Sequence, residues 1–217
     1  KYRAMDKLGN ITLYNADCME IMKGFADNQF DLAIIDPPYG INRDGQKSTF
    51  CKNPKHNRKC FEKKNWDKCI PDEIYFKELL RVSKNQIIWG ANYFTKYLPP
   101  SMGWIFWDKG QDLSMSDGEL AFTSFNRALR RKVINRSELA REGTIHPTQK
   151  PIQLYKWILK NYAHEGETIL DTHLGSGSSA IAAHDYGYEF TGIELDSEYY
   201  EAAKKRISEH QRQLSMF

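Results

Sequence analysis

Seven short apolar runs, most of them separated by stretches with helical periodicity, decide what this chain can fold into. The runs are ITLYN (11–15), DLAIID (31–36), QIIWG (86–90), GWIFWD (103–108), ELAFTSF (119–125), ETILD (167–171) and EFTGIEL (189–195). Helical spacing appears near 17–24, 72–83, 91–98, 151–163, 177–186 and 197–212. In 151–163 it sets Ile152, Tyr155, Leu159 and Tyr162 on one stripe, and Pro151 suits the first turn, where a proline gives up no helical hydrogen bond. Strands that alternate with helices form a mostly parallel sheet with helices on both faces, so the chain is predicted to be α/β. The runs at 103–108 and 119–125 have no helix between them, which predicts an antiparallel hairpin at one sheet edge.

Two segments stand outside this pattern. Residues 41–71 form a long polar stretch, and 126–145 a second irregular one. A structureless loop of that length is uncommon in a compact domain unless it has a function. Net charge is only +3, yet 41–70 holds nine Lys/Arg against three Asp/Glu and 126–141 holds six against one. An acidic body with two basic segments is the pattern of a polyanion-binding protein. The 217 residues are read as one domain, 1–217, with 41–71 and 126–145 as basic insertions that contact nucleic acid. No apolar run has the length of a membrane span or the pattern of a secretory signal, so a cytoplasmic protein with reduced cysteines is expected.

ETILDTHLGSGSSAIAA (167–183) reads as strand, turn and helix. Gly175-x-Gly177 lets backbone approach a ligand, and Ala180 completes a G-x-G-x-x-A spacing. Glu194, at the end of the next strand, can accept hydrogen bonds from both hydroxyls of a ribose. These features point to an adenosine-containing cofactor, NAD or S-adenosylmethionine. Four residues, Asp171 to Leu174, separate strand from first glycine, which favours S-adenosylmethionine over a pyrophosphate-binding turn. Asp171 can take its ammonium group.

DLAIIDPPYG (31–40) ends a strand on Asp36, Pro37, Pro38 and Tyr39. A base's exocyclic amino group is a poor nucleophile because its lone pair is delocalised into the ring. Two acceptors on its hydrogens, the Asp36 carboxylate and the Pro37 carbonyl, can free that lone pair. The prolines fix the backbone that carries the carbonyl, and Tyr39 can stack on an extruded base.

On these two motifs the chain resembles the amino-group DNA methyltransferases, which methylate adenine N6 or cytosine N4. The Asp-Pro-Pro-Tyr motif precedes the glycine motif with a basic region between them, an order that resembles the permuted β group of that family. The resemblance covers nearly the whole chain and implies the family's seven-stranded sheet. It also implies that Asp17, in NADCME (15–20), meets the cofactor's adenine, and that Glu194 meets its ribose. Lys150, with Thr148 and Gln149 in IHPTQKP (145–151), would line the methionine end. The cofactor set is then Asp17, Asp36, Lys150, Asp171, Thr172, Leu174, Gly175, Ser176, Gly177, Ser178 and Glu194, and the catalytic set Asp36, Pro37, Pro38 and Tyr39. One departure is THL (172–174), which stands where the family has an aromatic; Leu174 is expected to supply the apolar wall, and His173 to be a packing variant.

The implied activity is methyl transfer from S-adenosylmethionine to double-stranded DNA, at adenine N6 by preference, since the resemblance associates Asp at the motif's first position more with adenine. N4-cytosine transfer is the alternative; an NAD-dependent oxidoreductase, an inactive binding module and an RNA or protein methyltransferase are more remote. Small basic insertions imply a short recognition site, loose specificity or help from a second subunit, and leave open a homodimer or a restriction endonuclease partner. Cys51, His56, Cys60 and Cys69 lack the close cysteine pair of a structural zinc site, so free thiols and no metal are expected.

Overall fold

Strand β3 (Phe30–Ile35) sets the plan of the molecule, because its side chains alternate between two separate cores. Leu32 and Ile34 belong to one cluster, Ala33 and Ile35 to the other. A strand apolar on both sides is covered on both sides. The computed structural model describes residues 2–45, 60–110, 116–135 and 142–214. In chain order, β1 (Ala4–Leu8), β2 (Ile11–Asn15) and α1 (Cys18–Met22) precede β3. Helix α2 (Glu73–Val82), β4 (Ser83–Trp89), β5 (Trp104–Asp108), β6 (Gly118–Thr123) and β7 (Arg130–Val133) follow. Helix α3 (Ile152–Tyr162), β8 (Thr168–Asp171), α4 (Ser178–Asp185), β9 (Glu189–Glu194) and α5 (Ser197–Leu214) complete the order.

The strands form one sheet in the order β1-β2-β9-β8-β3-β4-β6-β5-β7. The five strands from β2 to β4 run parallel, while β6 is antiparallel to both its neighbours and β1 is antiparallel to β2. Residues of α3, α4 and α5 (among them Leu154, Ile158, Ala182, Ala203 and Ile207) join the first cluster. On the opposite face Tyr75, Phe76, Leu79 and Val82 of α2 join the second. Asp72 starts α2 by accepting a hydrogen bond from Tyr75 N at 2.9 Å.

All seven expected strands are present, and the helices cover both faces. Five corrections apply. Strand β1 adds to the sheet beyond β2. Strand β7 lies inside the segment expected to be an irregular basic loop, and pairs in parallel with β5 from Ile105↔Arg130 to Asp108↔Val133. The β5–β6 pair is antiparallel as expected, but β7 occupies the edge. The helix expected at 91–98 is two 3₁₀ turns, Ala91–Tyr93 and Thr95–Tyr97, entered through Gly90 at φ +67° and followed by Pro99 and Pro100. In α3 the buried stripe is Leu154, Tyr155, Ile158, Leu159 and Tyr162, leaving Ile152 only half-buried.

Candidate active site

The chain leaves the sheet in opposite directions from its centre. From β3 it proceeds to β4 on one side, and from β8 to β9 on the other, while β3 and β8 are themselves neighbours through Leu32↔Ile169 and Ala33↔Leu170. Ligands of open α/β sheets bind at such a switch point, outside the carboxyl ends of the strands. A cleft of about 1620 Å³ opens there. The turn after β3 brings Asp36, Pro37, Pro38 and Tyr39 to its wall, and the turn after β8 brings Thr172, His173, Leu174, Gly175 and Ser176.

Asp36 is the hub of a charged network built around the buried Lys150. Tyr39 Oη donates to Asp36 Oδ1 at 2.5 Å, and Lys150 Nζ donates to Asp36 Oδ2 at 2.5 Å. The ammonium also lies 3.1 Å from Tyr39 Oη and 3.1 Å from Glu119 Oε2. Lys109 Nζ meets the other Glu119 oxygen, Oε1, at 3.0 Å. Burial alone would discharge Lys150, but Asp36 and Glu119 outweigh it and hold its pKa above the ordinary lysine value. Burial pushes the Asp36 carboxyl up; Lys150 opposes this, and the charge of Glu119 adds to it. Burial likewise raises the Tyr39 phenol well above its ordinary value, with the adjacent Asp36 reinforcing it, so Tyr39 stays a donor.

The turn is fixed from outside by Asp67, only 2% exposed. Its Oδ1 accepts from Tyr39 N at 2.7 Å and Gly40 N at 2.8 Å, and its Oδ2 from Arg43 N at 2.7 Å. The Tyr39 ring stacks on Tyr93, centroids 5.2 Å apart and planes at 17°. It also packs on Gly90, where a Cβ would sit 2.1 Å from Tyr39 Cε1. Lys150 is presented by the turn ahead of α3. Gln149 ties that turn, accepting from Ile145 N at 3.0 Å and donating to Gly143 O at 2.8 Å. Glu142 accepts from Ile152 N at 3.0 Å, supplying the cap that Pro151 cannot.

Across the cleft, Glu194 at the end of β9 folds onto the glycine turn. Its Oε2 accepts from Gly175 N at 2.8 Å and its Oε1 from Asp196 N at 2.9 Å. Asp171 accepts from Ser179 Oγ at 2.6 Å and from His173 N at 3.0 Å. Burial raises both carboxyls, each to about 7. Gly175 and Gly177 adopt φ +52° and +73°, which favours glycine at both. At Gly177 a Cβ would also sit 3.1 Å from Ile207 Cδ1, so this glycine lets α5 approach the turn. Thr172 Oγ1 lies 2.6 Å from Tyr75 Oη and 3.0 Å from His173 Nδ1, and burial lowers His173 to about 4, keeping it neutral. Leu174 is buried and also lines the cleft. Asp17 lines the far end, where it caps α1 by accepting from Met19 N at 2.8 Å.

Residues 64–67 form a strap over this side. Trp66 stacks on His146, centroids 5.2 Å apart, and His146 meets Tyr199 edge-on at 4.4 Å. Lys64 Nζ pairs with Asp196 Oδ2 at 2.8 Å and Glu198 Oε2 at 2.5 Å. Burial, with Lys150 and Lys64 nearby, holds His146 down at about 3.

The structure thus gathers most of the residues singled out in the sequence around one cleft. Asp171, Gly177 and Ser178 are buried or packed behind its wall; Ser178 bonds Ser176 and Arg206. Lys150 stands beside Asp36, and Gln149 is occupied inside its own turn. Cys51 and His56 lie outside the described residues; Cys60 and Cys69 are exposed. Glu119, Lys109, Asp67, Tyr75 and Tyr93 were not anticipated. No helix among the described residues is long and apolar enough to cross a membrane.

Residues 88–205 match the model of a family described as DNA methylase, with the family label N6_N4_Mtase. The type II methyltransferase M2.MboI of Moraxella bovis is 25% identical over 248 residues, covering 92% of this chain and 88% of that protein. The type II methyltransferase M2.DpnII of Streptococcus pneumoniae is 25% identical over 243 residues, covering 90% and 88%. Among solved structures, the M1.HpyAVI–SAM complex superposes with a TM-score of 0.60 at 20% identity, covering 91% of this chain and 98% of that one. The cytosine-N4-specific PvuII DNA methyltransferase superposes with 0.62 at 12% identity, covering 99% and 96%.

Proposed function

The chain belongs to the N6/N4 DNA methylase family, and we propose that it transfers the methyl group of S-adenosylmethionine to an extruded base of duplex DNA, adenine N6 in preference to cytosine N4. The observation that carries the reading is the Asp36 carboxylate, half-buried at the strand end beside the glycine turn, open to the cleft and held by Tyr39 and Lys150. A carboxylate has about four lone-pair positions. Two are used here, so Asp36 keeps acceptor capacity for an amino group while the Pro37 carbonyl takes the second hydrogen. Tyr39 then stacks on the base face. The roles are positioning and electrostatic stabilisation of the charge that develops on nitrogen.

The cleft also suits the cofactor. Each Glu194 oxygen accepts one backbone N–H and retains a lone pair for a ribose hydroxyl. Gly175, Ser176, Thr172 and Leu174 supply the turn, Asp17 the adenine end, and Asp36 the negative charge that a sulfonium and an ammonium favour. When bound, the cofactor supplies an electrophilic methyl group on a sulfonium. Asp171, Gly177 and Ser178 act on it through the shape of the turn. Preference for adenine rests on Asp36 at the first position of the motif; cytosine N4 presents the same NH2 group to Asp36 and Pro37. DNA contact is assigned to the basic segments 41–71 and 126–145, within a single domain.

Asp36→Ala tests the reading. Transfer of labelled methyl to duplex DNA should be lost while S-adenosylmethionine still binds by calorimetry. Near-normal transfer by that variant would remove Asp36 from the mechanism.

A further inference from the structure

Lys150 presents three N–H donors. Three oxygens meet them: Asp36 Oδ2 at 2.5 Å, Tyr39 Oη at 3.1 Å and Glu119 Oε2 at 3.1 Å. The side chain is only 2% exposed, and the Trp89 and Tyr39 rings lie 5.3 and 5.6 Å from its ammonium. Water therefore cannot take over a donor that loses its partner. Yet the amino group of a base needs the carboxylate that Lys150 now contacts. An ammonium pressed on that carboxylate competes with the incoming donor and lowers the electron density the clamp offers. A second acceptor within reach of the same ammonium resolves the conflict. Glu119 is in that position, on the antiparallel strand β6 at the far side of β4, and its other oxygen is anchored by Lys109 at 3.0 Å.

Resting on the methyl-transfer reading above, we propose that Glu119 is a positioning residue that takes the Lys150 ammonium from Asp36 when the base amino group arrives, so that Lys150 is handed between two carboxylates rather than left bare. Lys109 holds Glu119 in the receiving orientation. The ammonium keeps a partner in both states, and the net charge of the buried group does not change during the exchange. Glu119 touches neither base nor cofactor and acts through Lys150.

The test is a double-mutant cycle on turnover with duplex DNA, using the whole chain. Glu119→Gln keeps the side-chain size but offers the ammonium no charge. It should lower kcat about tenfold, with S-adenosylmethionine affinity and DNA KM within about twofold of the unaltered protein. In a Lys150→Met background the same change should cost less than about twofold, because the residue it acts through is gone. Glu119→Asp, which keeps the charge, should lose less than Glu119→Gln and covers the case in which the glutamine variant folds poorly. Equal losses in both backgrounds, or a glutamine variant as active as the unaltered protein, would overturn the inference while leaving the reaction standing. No transfer by the unaltered protein would overturn both.

Discussion

Lys150 Nζ lies 2.5 Å from Asp36 Oδ2, joining residues 114 apart in sequence into one ion pair whose lysine is only 2% exposed. Removing one partner of such a pair leaves an uncompensated charge in a low-dielectric site and costs about 3–5 kcal/mol when the charge is retained. Lys150→Met leaves two carboxylates, Asp36 and Glu119, facing each other. Proton uptake is their way out, so the cost depends on pH. With the ammonium gone their pKa values rise above the unfolded-state values of about 4, and stability is lost as pH climbs past that point. Urea denaturation at pH 5 and pH 8 should show the larger deficit, about 3 kcal/mol or more, at pH 8. An equal deficit at both values would mean that the pair is not the origin of the loss.

Asp171 and Glu194 are raised to about 7, whereas His146 is lowered to about 3 and His173 to about 4. Their linkages have opposite signs. From about pH 4 to 7 the folded protein holds protons on the two acids that the unfolded chain has released, so stability falls as pH rises. Over much of the same window the unfolded chain protonates two histidines that stay neutral in the fold, so stability falls as pH drops. The unaltered protein should therefore show a nearly flat profile between pH 4.5 and 6.5. Glu194→Gln removes one acid from the balance, so its stability relative to the unaltered protein should gain up to about 1.4 kcal/mol per pH unit across that window. Parallel profiles would place the Glu194 carboxyl in its ordinary range.

Lys64 is held by Asp196 and Glu198, while Lys63 and Lys68 are exposed and make no ion pair among the described residues. Only charges free to meet phosphate release counterions. Lys63→Met and Lys68→Met should each reduce the slope of log affinity for DNA against log salt by about 1, and Lys64→Met should leave it unchanged. The opposite ranking would put the DNA on another face.

Gly90 stands at φ +67° against the Tyr39 ring, where a Cβ would approach to 2.1 Å. Gly90→Ala should destabilise the fold by about 1–3 kcal/mol and, by tilting Tyr39, lower methyl transfer well beyond what the stability loss explains. Turnover measured below the melting transition separates the two effects; unchanged turnover there would free Tyr39 from a stacking role.

The central strands were legible because each is an apolar run too short for a helix, and the cleft was legible because two such strands end in turns with unusual chemistry. Strand β1 escaped notice: its sequence, AMDKL, carries two adjacent charges, Asp6 and Lys7, and none of its residues is fully buried. Strand β7 escaped because RRKV reads as a basic loop, and only its pairing with β5 makes it a strand. Asp67 and Glu119 were invisible for a related reason. What each acid does depends on partners brought by the fold: Tyr39 N, 28 residues away, for the first, and Lys150, on a separate turn, for the second. Charge counting placed Lys64 with the DNA-binding lysines, although its neutralising acids lie in α5 and the turn before it.

The measurement that bears most directly on the activity is nucleoside mass spectrometry of unmethylated duplex DNA after incubation with the protein and labelled S-adenosylmethionine. Labelled N6-methyladenine is expected, lost with Asp36→Ala. N4-methylcytosine would keep the clamp and overturn the choice of base, and DNA without label, from protein that binds S-adenosylmethionine, would contradict DNA as the substrate.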